Sequence, residues 1–123
     1  MKRRTELEKI GRVLRHFQTL DIEMQIPTIL TFLELAMWDD TKAPSVTELG
    51  KKIGTKTTTT AGSRNIMAWS DINRSRGKGH DMMEAKENPE YRVEKLVYMK
   101  PSGYAFADSL IELLKKENKN GNT

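Results

Sequence analysis

The residues best suited to chemistry lie in one stretch, GTKTTTTAGSRNIMAWSD, residues 54 to 71. Its hydroxyls, with Lys56, Arg64 and Asn65, are the groups that reach phosphates and base edges in a DNA major groove. Catalytic types are missing or isolated. There is no cysteine, which excludes disulfide, thiol and zinc-thiolate chemistry. His16 stands beside Phe17 and His80 in a basic glycine-containing segment, neither with a carboxylate or nucleophile at a telling spacing. No metal site, cofactor or catalytic residue is therefore expected, and the chain reads as a binding protein, not an enzyme. The scattered methionines suit core filling better than redox chemistry.

Charge concentrates in the same region. Residues 51–80 hold Lys51, Lys52, Lys56, Arg64, Arg74, Arg76 and Lys78 against Asp71 alone, while the whole chain carries only +4. The remainder is thus slightly acidic. A local basic stretch is the electrostatic footprint of a nucleic-acid face. A length of 123 residues with 37% hydrophobic content suits one globular domain with a modest core. The basic start, MKRRTELEKIGRVLRHF, lacks an apolar run, so no signal peptide is expected. Nor does any segment approach the roughly 18 apolar residues of a membrane span. A cytoplasmic protein is expected.

Helices must position the threonine-rich stretch. Thr5 and Glu8 make a T-x-x-E pair, followed by Leu7, Ile10, Leu14, Phe17 and Met24 near heptad phase. The pattern predicts an amphipathic helix over residues 6 to about 22, whose stripe could pack inside the monomer or against a second copy. Pro27 then suits a first helical turn. Ile29, Leu30, Phe32, Leu33, Ala36 and Met37 predict a strongly apolar helix over about 27–38, after which DDTKAP forms a loop.

Ser45 and Glu48 form a second capping pair, with Val46, Leu49 and Ile53 on one face of a short helix and Gly54 able to end it. The threonine stretch then begins a second helix, capped by Thr55 or Thr57. Gly62, Ile66 and Trp69 fall on one buried face, leaving Thr58, Thr59, Ser63, Arg64 and Met67 outside. Together these two helices make a helix-turn-helix with a polar recognition helix. NRSRGKGH reads as a connection. DMMEAKENPEYRVEKLVYM reads as two strands around a turn at Glu87-Asn88-Pro89-Glu90, a wing. PSGYAFADSLIELLKKE closes the domain as a helix with Phe106, Leu110, Leu113 and Leu114 on one side.

The stretches PSVTELGKKIG, SRNIMAW and ENPEYRVEKLVYMKPSGYAFADSL, in this order, resemble the MarR family of winged-helix transcriptional regulators. The similarity spans roughly residues 25 to 115. The family's wing pattern becomes Asn88-Pro89-Glu90-Tyr91-Arg92-Val93, so only Arg92 keeps the guanidinium of the wing tip, and Lys100 stands where a threonine is usual. The short first and last segments resemble compact variants carried by bacteria and their tailed phages. The cytoplasm would then be that of a bacterium, or of the host if the chain is phage-encoded.

The resemblance implies a mainly α chain with a small β-hairpin, a winged helix-turn-helix with dimerisation helices at 6–22 and 104–117. It places the helix-turn-helix at 45–73, the wing at 82–100 and a flexible tail at 118–123, in a single DNA-binding domain over 1–123. The implied partner is double-stranded DNA with a palindromic site, bound by a homodimer. The expected DNA contacts are Lys56, Thr58, Thr59, Ser63, Arg64, Arg74, Arg76, Lys78 and Arg92, with Lys86 assisting. The expected dimer interface is Leu7, Ile10, Leu14, Phe17, Leu110, Leu113 and Leu114. The alternative function is a winged helix used for protein contact, acting on a polymerase or another regulator.

Overall fold

The computed structural model describes residues 2–54, 59–71 and 79–115, and at residues 2, 59–63 and 92 it describes the backbone alone. In chain order the elements are α1 (Lys2–Gln18), α2 (Ile26–Ala36), α3 (Val46–Lys52), α4 (Thr59–Trp69), β1 (Met83–Asn88), β2 (Tyr91–Met99) and α5 (Pro101–Lys115). A helix-turn-helix followed by an antiparallel hairpin is the winged-helix arrangement that the sequence predicts. The chain forms two compact units. Residues 25–104 make one, and residues 1–24 with 105–123 make the other.

In the unit of residues 25–104, α2 is the central support. Pro27 occupies its first turn, and Ile29, Thr31, Phe32 and Leu35 are buried. Leu30 and Met37, both expected inside, are exposed. Met37 is the C-cap of the helix and so leaves its apolar face. Thr31 is a buried hydroxyl satisfied locally, donating to the Pro27 carbonyl at 2.7 Å.

The Ser45–Glu48 capping box starts α3 as expected. The Glu48 N–H donates to Ser45 Oγ at 3.1 Å, and the Ser45 N–H donates to Glu48 Oε1 at 2.9 Å. Leu49 is buried beneath the helix. Gly54 follows at φ +74°, the left-handed conformation that a glycine adopts without strain, and its N–H donates to the Lys51 carbonyl at 3.2 Å.

Helix α4 is fixed to α2 by apolar and polar contacts together. Ile66 and Trp69 are buried, and the Trp69 ring lies 4.9 Å from that of Phe32. The indole N–H donates to the Thr28 carbonyl at 2.8 Å, and Thr28 Oγ1 donates to Asn65 Oδ1 at 3.1 Å. Residues on either side of 72–78 are joined by backbone bonds, Gly79 to Asp71 at 3.1 Å and Met82 to Trp69 at 2.7 Å.

The hairpin pairs Met83 with Met99 and Lys86 with Leu96, then shifts register between Glu87 and Asn88, so that Asn88 faces Tyr91. Asn88 is buried because it builds the turn. Its Nδ2 donates to Glu94 Oε1 at 2.7 Å, and its Oδ1 accepts from the Glu90 N–H at 3.0 Å. Ser45 forms an isolated bridge with Leu96, and the Val97 N–H donates to the Pro44 carbonyl at 2.9 Å. At the hairpin root, Lys100 pairs with Asp81 and Ser102 Oγ donates to the Asp81 carbonyl at 2.6 Å. The hydrogen bond to the Asp81 carboxylate raises the Lys100 ammonium above the usual lysine range, so the lysine side of the pair stays charged until the pH rises above that range. Gly103 is needed for close approach, since a Cβ there would lie 2.6 Å from the Met82 carbonyl oxygen.

The other unit contains α1 and residues 105–115 of α5. Phe17 is fully buried, its ring 5.3 Å from that of Phe106, while His16 stacks on Phe106 at 4.9 Å. Helix α1 already runs at Lys2, so Thr5 and Glu8 lie inside it and do not cap its start as their spacing suggested. Its end comes at Gln18, not near 22. Thr19 Oγ1 donates to the His16 carbonyl at 2.6 Å, and the Asp21 carboxylate takes the Glu23 N–H at 3.0 Å, which turns the chain. Helix α5 starts at Pro101, a residue whose missing N–H costs nothing in a first turn.

Removing the Ser45 hydroxyl breaks half of the capping box at a buried position. Ser45→Ala is expected to destabilise the chain by about 1–2 kcal/mol. Denaturant unfolding checks this, read as a lower midpoint with an unchanged slope.

Candidate nucleic-acid interface

The central candidate is α4, the second helix of the helix-turn-helix. Ile66 and Trp69 define its buried side, and Asn65 is held half-buried by Thr28. Arg64, immediately before Asn65, is exposed. Helical geometry separates neighbours by about 100°, so an anchored Asn65 and Ile66 leave Arg64 turned to solvent. Thr59 and Ser63 lie on the same helix. Met67, expected on the outer side, is half-buried. It immediately follows the buried Ile66, close to the core face.

Lys56, Thr58, Arg74, Arg76 and Lys78 lie outside the described residues, as do Thr55 and Thr57. Arg92 is on β2, between Tyr91 and Val93, which are both strongly exposed. Lys51 and Lys52 were not singled out individually, although they belong to the basic stretch. Both are exposed in the last turn of α3, where the helix dipole favours cations. Their sequence signal was the charge run itself.

The hairpin's charges run against a simple phosphate contact. Residues 83–99 hold Glu84, Glu87, Glu90 and Glu94 against Lys86, Arg92 and Lys95. Lys86 is drawn back along the strands. Its ammonium lies 3.8 Å from the Glu84 carboxylate and 5.4 Å from the centre of the Tyr98 ring. Lys86, expected to assist at the wing, remains largely exposed beside these contacts.

The expected dimer residues divide into two groups. Phe17 and Leu110 are buried, and Leu113 is half-buried. Leu7, Ile10, Leu14 and Leu114 are exposed, Leu7 at 58% and Ile10 at 53%. Phe17 sits at the edge of the stripe, where its ring meets Phe106. Ile111 is also exposed, one turn before Leu114, and was not among the expected residues. The half-buried residues of α1 include Lys9, Arg12 and His16, and the Arg12 Nε and Nη2 atoms are buried without a hydrogen-bond partner. Helix α1 thus buries Phe17 but leaves Leu7, Ile10 and Leu14 exposed, an apolar stripe that the chain itself covers only at one end.

Among the described residues, no group of three or more His, Cys, Asp or Glu side chains could hold a metal ion. No described helix is long and apolar enough to cross a membrane.

No family model matches the chain, and no curated protein matches it. Among solved structures, it is similar to BpsR of Bordetella bronchiseptica, in a structure concerned with the regulation of that protein's DNA binding by 6-hydroxynicotinic acid. The similarity covers 94% of this chain and 85% of that one, at 16% sequence identity and a TM-score of 0.46.

Proposed function

We propose that this chain is a DNA-binding transcriptional regulator of MarR-like type. It acts as a homodimer, with α4 in the major groove of each half-site and the hairpin at the adjacent minor groove. The observation that carries this reading is the placement of α4. Its inner side is anchored through Ile66, Trp69 and the Thr28–Asn65 bond, which leaves Arg64 exposed within the most basic stretch of the chain. In the same stretch of sequence, Lys56, Thr58, Thr59, Ser63, Arg74, Arg76 and Lys78 supply hydroxyls and cations suited to phosphates and base edges. Contacts of this kind make duplex affinity fall steeply between low and moderate salt.

Dimerisation is supported by the outward stripe Leu7, Ile10 and Leu14, with Ile111 and Leu114 on α5. A single winged helix reads only a few base pairs, and two-fold pairing doubles the site. Half-sites then lie about one helical turn apart, and the operator is palindromic.

A second reading, contact with a polymerase or another regulator, is favoured by one observation. The hairpin has an excess of glutamate and exposes Tyr91 and Val93 near its turn. That surface suits a protein better than a phosphate backbone.

Three outcomes distinguish these readings. Arg64→Ala should weaken operator binding by about 1–3 kcal/mol and relax preference at one base position, if Arg64 reads a guanine edge. Unchanged affinity and unchanged preference in a binding-site selection would remove Arg64 from recognition. Arg92→Ala should reduce binding to sites with A·T flanks, where a narrow minor groove concentrates negative potential. Intact binding there would assign the hairpin to protein contact. Leu14→Asp should give folded monomers that bind the operator far more weakly. Analytical ultracentrifugation of the wild-type chain checks the premise, and a stable monomer at micromolar concentration would favour the second reading.

A further inference from the structure

The unit of residues 25–104 contains a cavity of about 220 Å³ that the DNA-binding reading does not use. Its lining includes three aromatic residues, Trp38, Tyr98 and Tyr104, and one acidic residue, Asp40, with Leu35 and Met99. No lining side chain is cationic. We propose that this cavity is a binding site for a compact organic cation, an alkylated ammonium group held by the aromatic faces and neutralised by Asp40.

The chemistry of the lining selects that class. Aromatic rings present a negative face, so an ammonium placed against them is attracted by the ring quadrupole as well as by dispersion. Such attraction is already visible at Tyr98, whose ring has the Lys86 ammonium 5.4 Å from its centre. Asp40 supplies the counter-charge. Its carboxylate accepts the Lys42 backbone N–H at 3.4 Å, a long bond, and no described residue makes an ion pair with it. An anionic ligand would meet the Asp40 carboxylate and no cationic residue of the lining, and a neutral ligand would gain nothing from that carboxylate.

Size and rigidity agree. The volume lies below the range of about 300–1,000 Å³ typical for drug-sized ligands, and suits a single small headgroup. Each ring comes from a different, internally fixed element. Trp38 follows α2, and its indole N–H donates to the Lys42 carbonyl at 3.0 Å. Tyr98 is paired with Glu84 in the hairpin. Tyr104 lies in the first turn of α5, its N–H bonded to the Lys100 carbonyl at 3.1 Å. Ala43 and Pro44 also line the cavity, so an occupant would brace the segment that leads into the α3 capping box. This site does not depend on DNA binding, and its test does not involve DNA.

The test uses the full chain with choline chloride as probe. Titration is followed by calorimetry and by tryptophan emission, since Trp38 lines the cavity whereas Trp69 is fully buried. Sodium chloride controls for ionic strength, and dimethylbutanol, the uncharged carbon isostere of choline, controls for apolar binding. The expected result is saturable binding of choline and none of the alcohol. Asp40→Asn and Tyr104→Leu should each weaken it about three- to tenfold, and Glu23→Gln should leave it unchanged. Asp40 and Tyr104 are exposed, so circular dichroism should show both variants folded. No saturable signal with choline, equal binding of the alcohol, or undiminished affinity in Asp40→Asn would each overturn the proposal.

Discussion

The unit of residues 25–104 depends on the two residues Pro44 and Ser45. Both are buried, and two elements, α3 and β2, meet there. The Pro44 carbonyl accepts the Val97 N–H, Ser45 bridges Leu96, and the Ser45 side chain caps α3. A buried backbone must satisfy its polar groups, and here the hairpin and the capping box do so at once. The position at which α3 leaves is thereby tied to the register of β2. Thr28 plays the matching part on the opposite side, binding α4 through the Trp69 indole and the Asn65 side chain. Each such bond contributes about 1 kcal/mol, modest beside the burial of Trp69 and Phe32, but directional where burial is not. Packing makes α4 stable against α2; the hydrogen bonds fix which side of it faces out.

Helix α1 shows the opposite condition. Leu7, Ile10 and Leu14 are in solvent, while Arg12 presents buried nitrogens that no partner satisfies. Both features are unfavourable in an isolated chain. Exposed apolar residues forgo burial worth about 1.5–3 kcal/mol for each side chain, and guanidinium nitrogens buried without partners add a desolvation cost. Association of this surface with a second copy would recover the first of these costs, which is why the dimer is the natural proposal for it.

Charge divides the functional surface. The basic excess belongs to residues 51–80, whereas the hairpin carries more glutamates than bases. The proposed DNA contact therefore rests chiefly on that basic stretch. The exposed Tyr91 and Val93 then form a surface of different character.

The sequence by itself determined the elements whose signals are local. Ser45 and Glu48 announced α3, because a capping box needs only residues three apart. Ile66 and Trp69 announced the inner side of α4, because helical periodicity is local too. Asn88 and Pro89 announced the hairpin turn. Local patterns failed where a competing partner decided. Thr5 and Glu8 have the spacing of a cap yet lie inside α1, since spacing alone does not exclude an earlier helix start. Phe17 and Leu14 share one sequence stripe, but only the meeting with Phe106 buries Phe17. The site was legible as a basic, hydroxyl-rich helix. The outward position of Arg64 was legible too, but the engagement of Asn65 by Thr28 was not, because residues 37 apart must first be brought together. The cavity of Trp38, Asp40, Tyr98 and Tyr104 left no trace in the sequence for the same reason: its walls come from segments far apart in the chain, and only tertiary packing places them around one space.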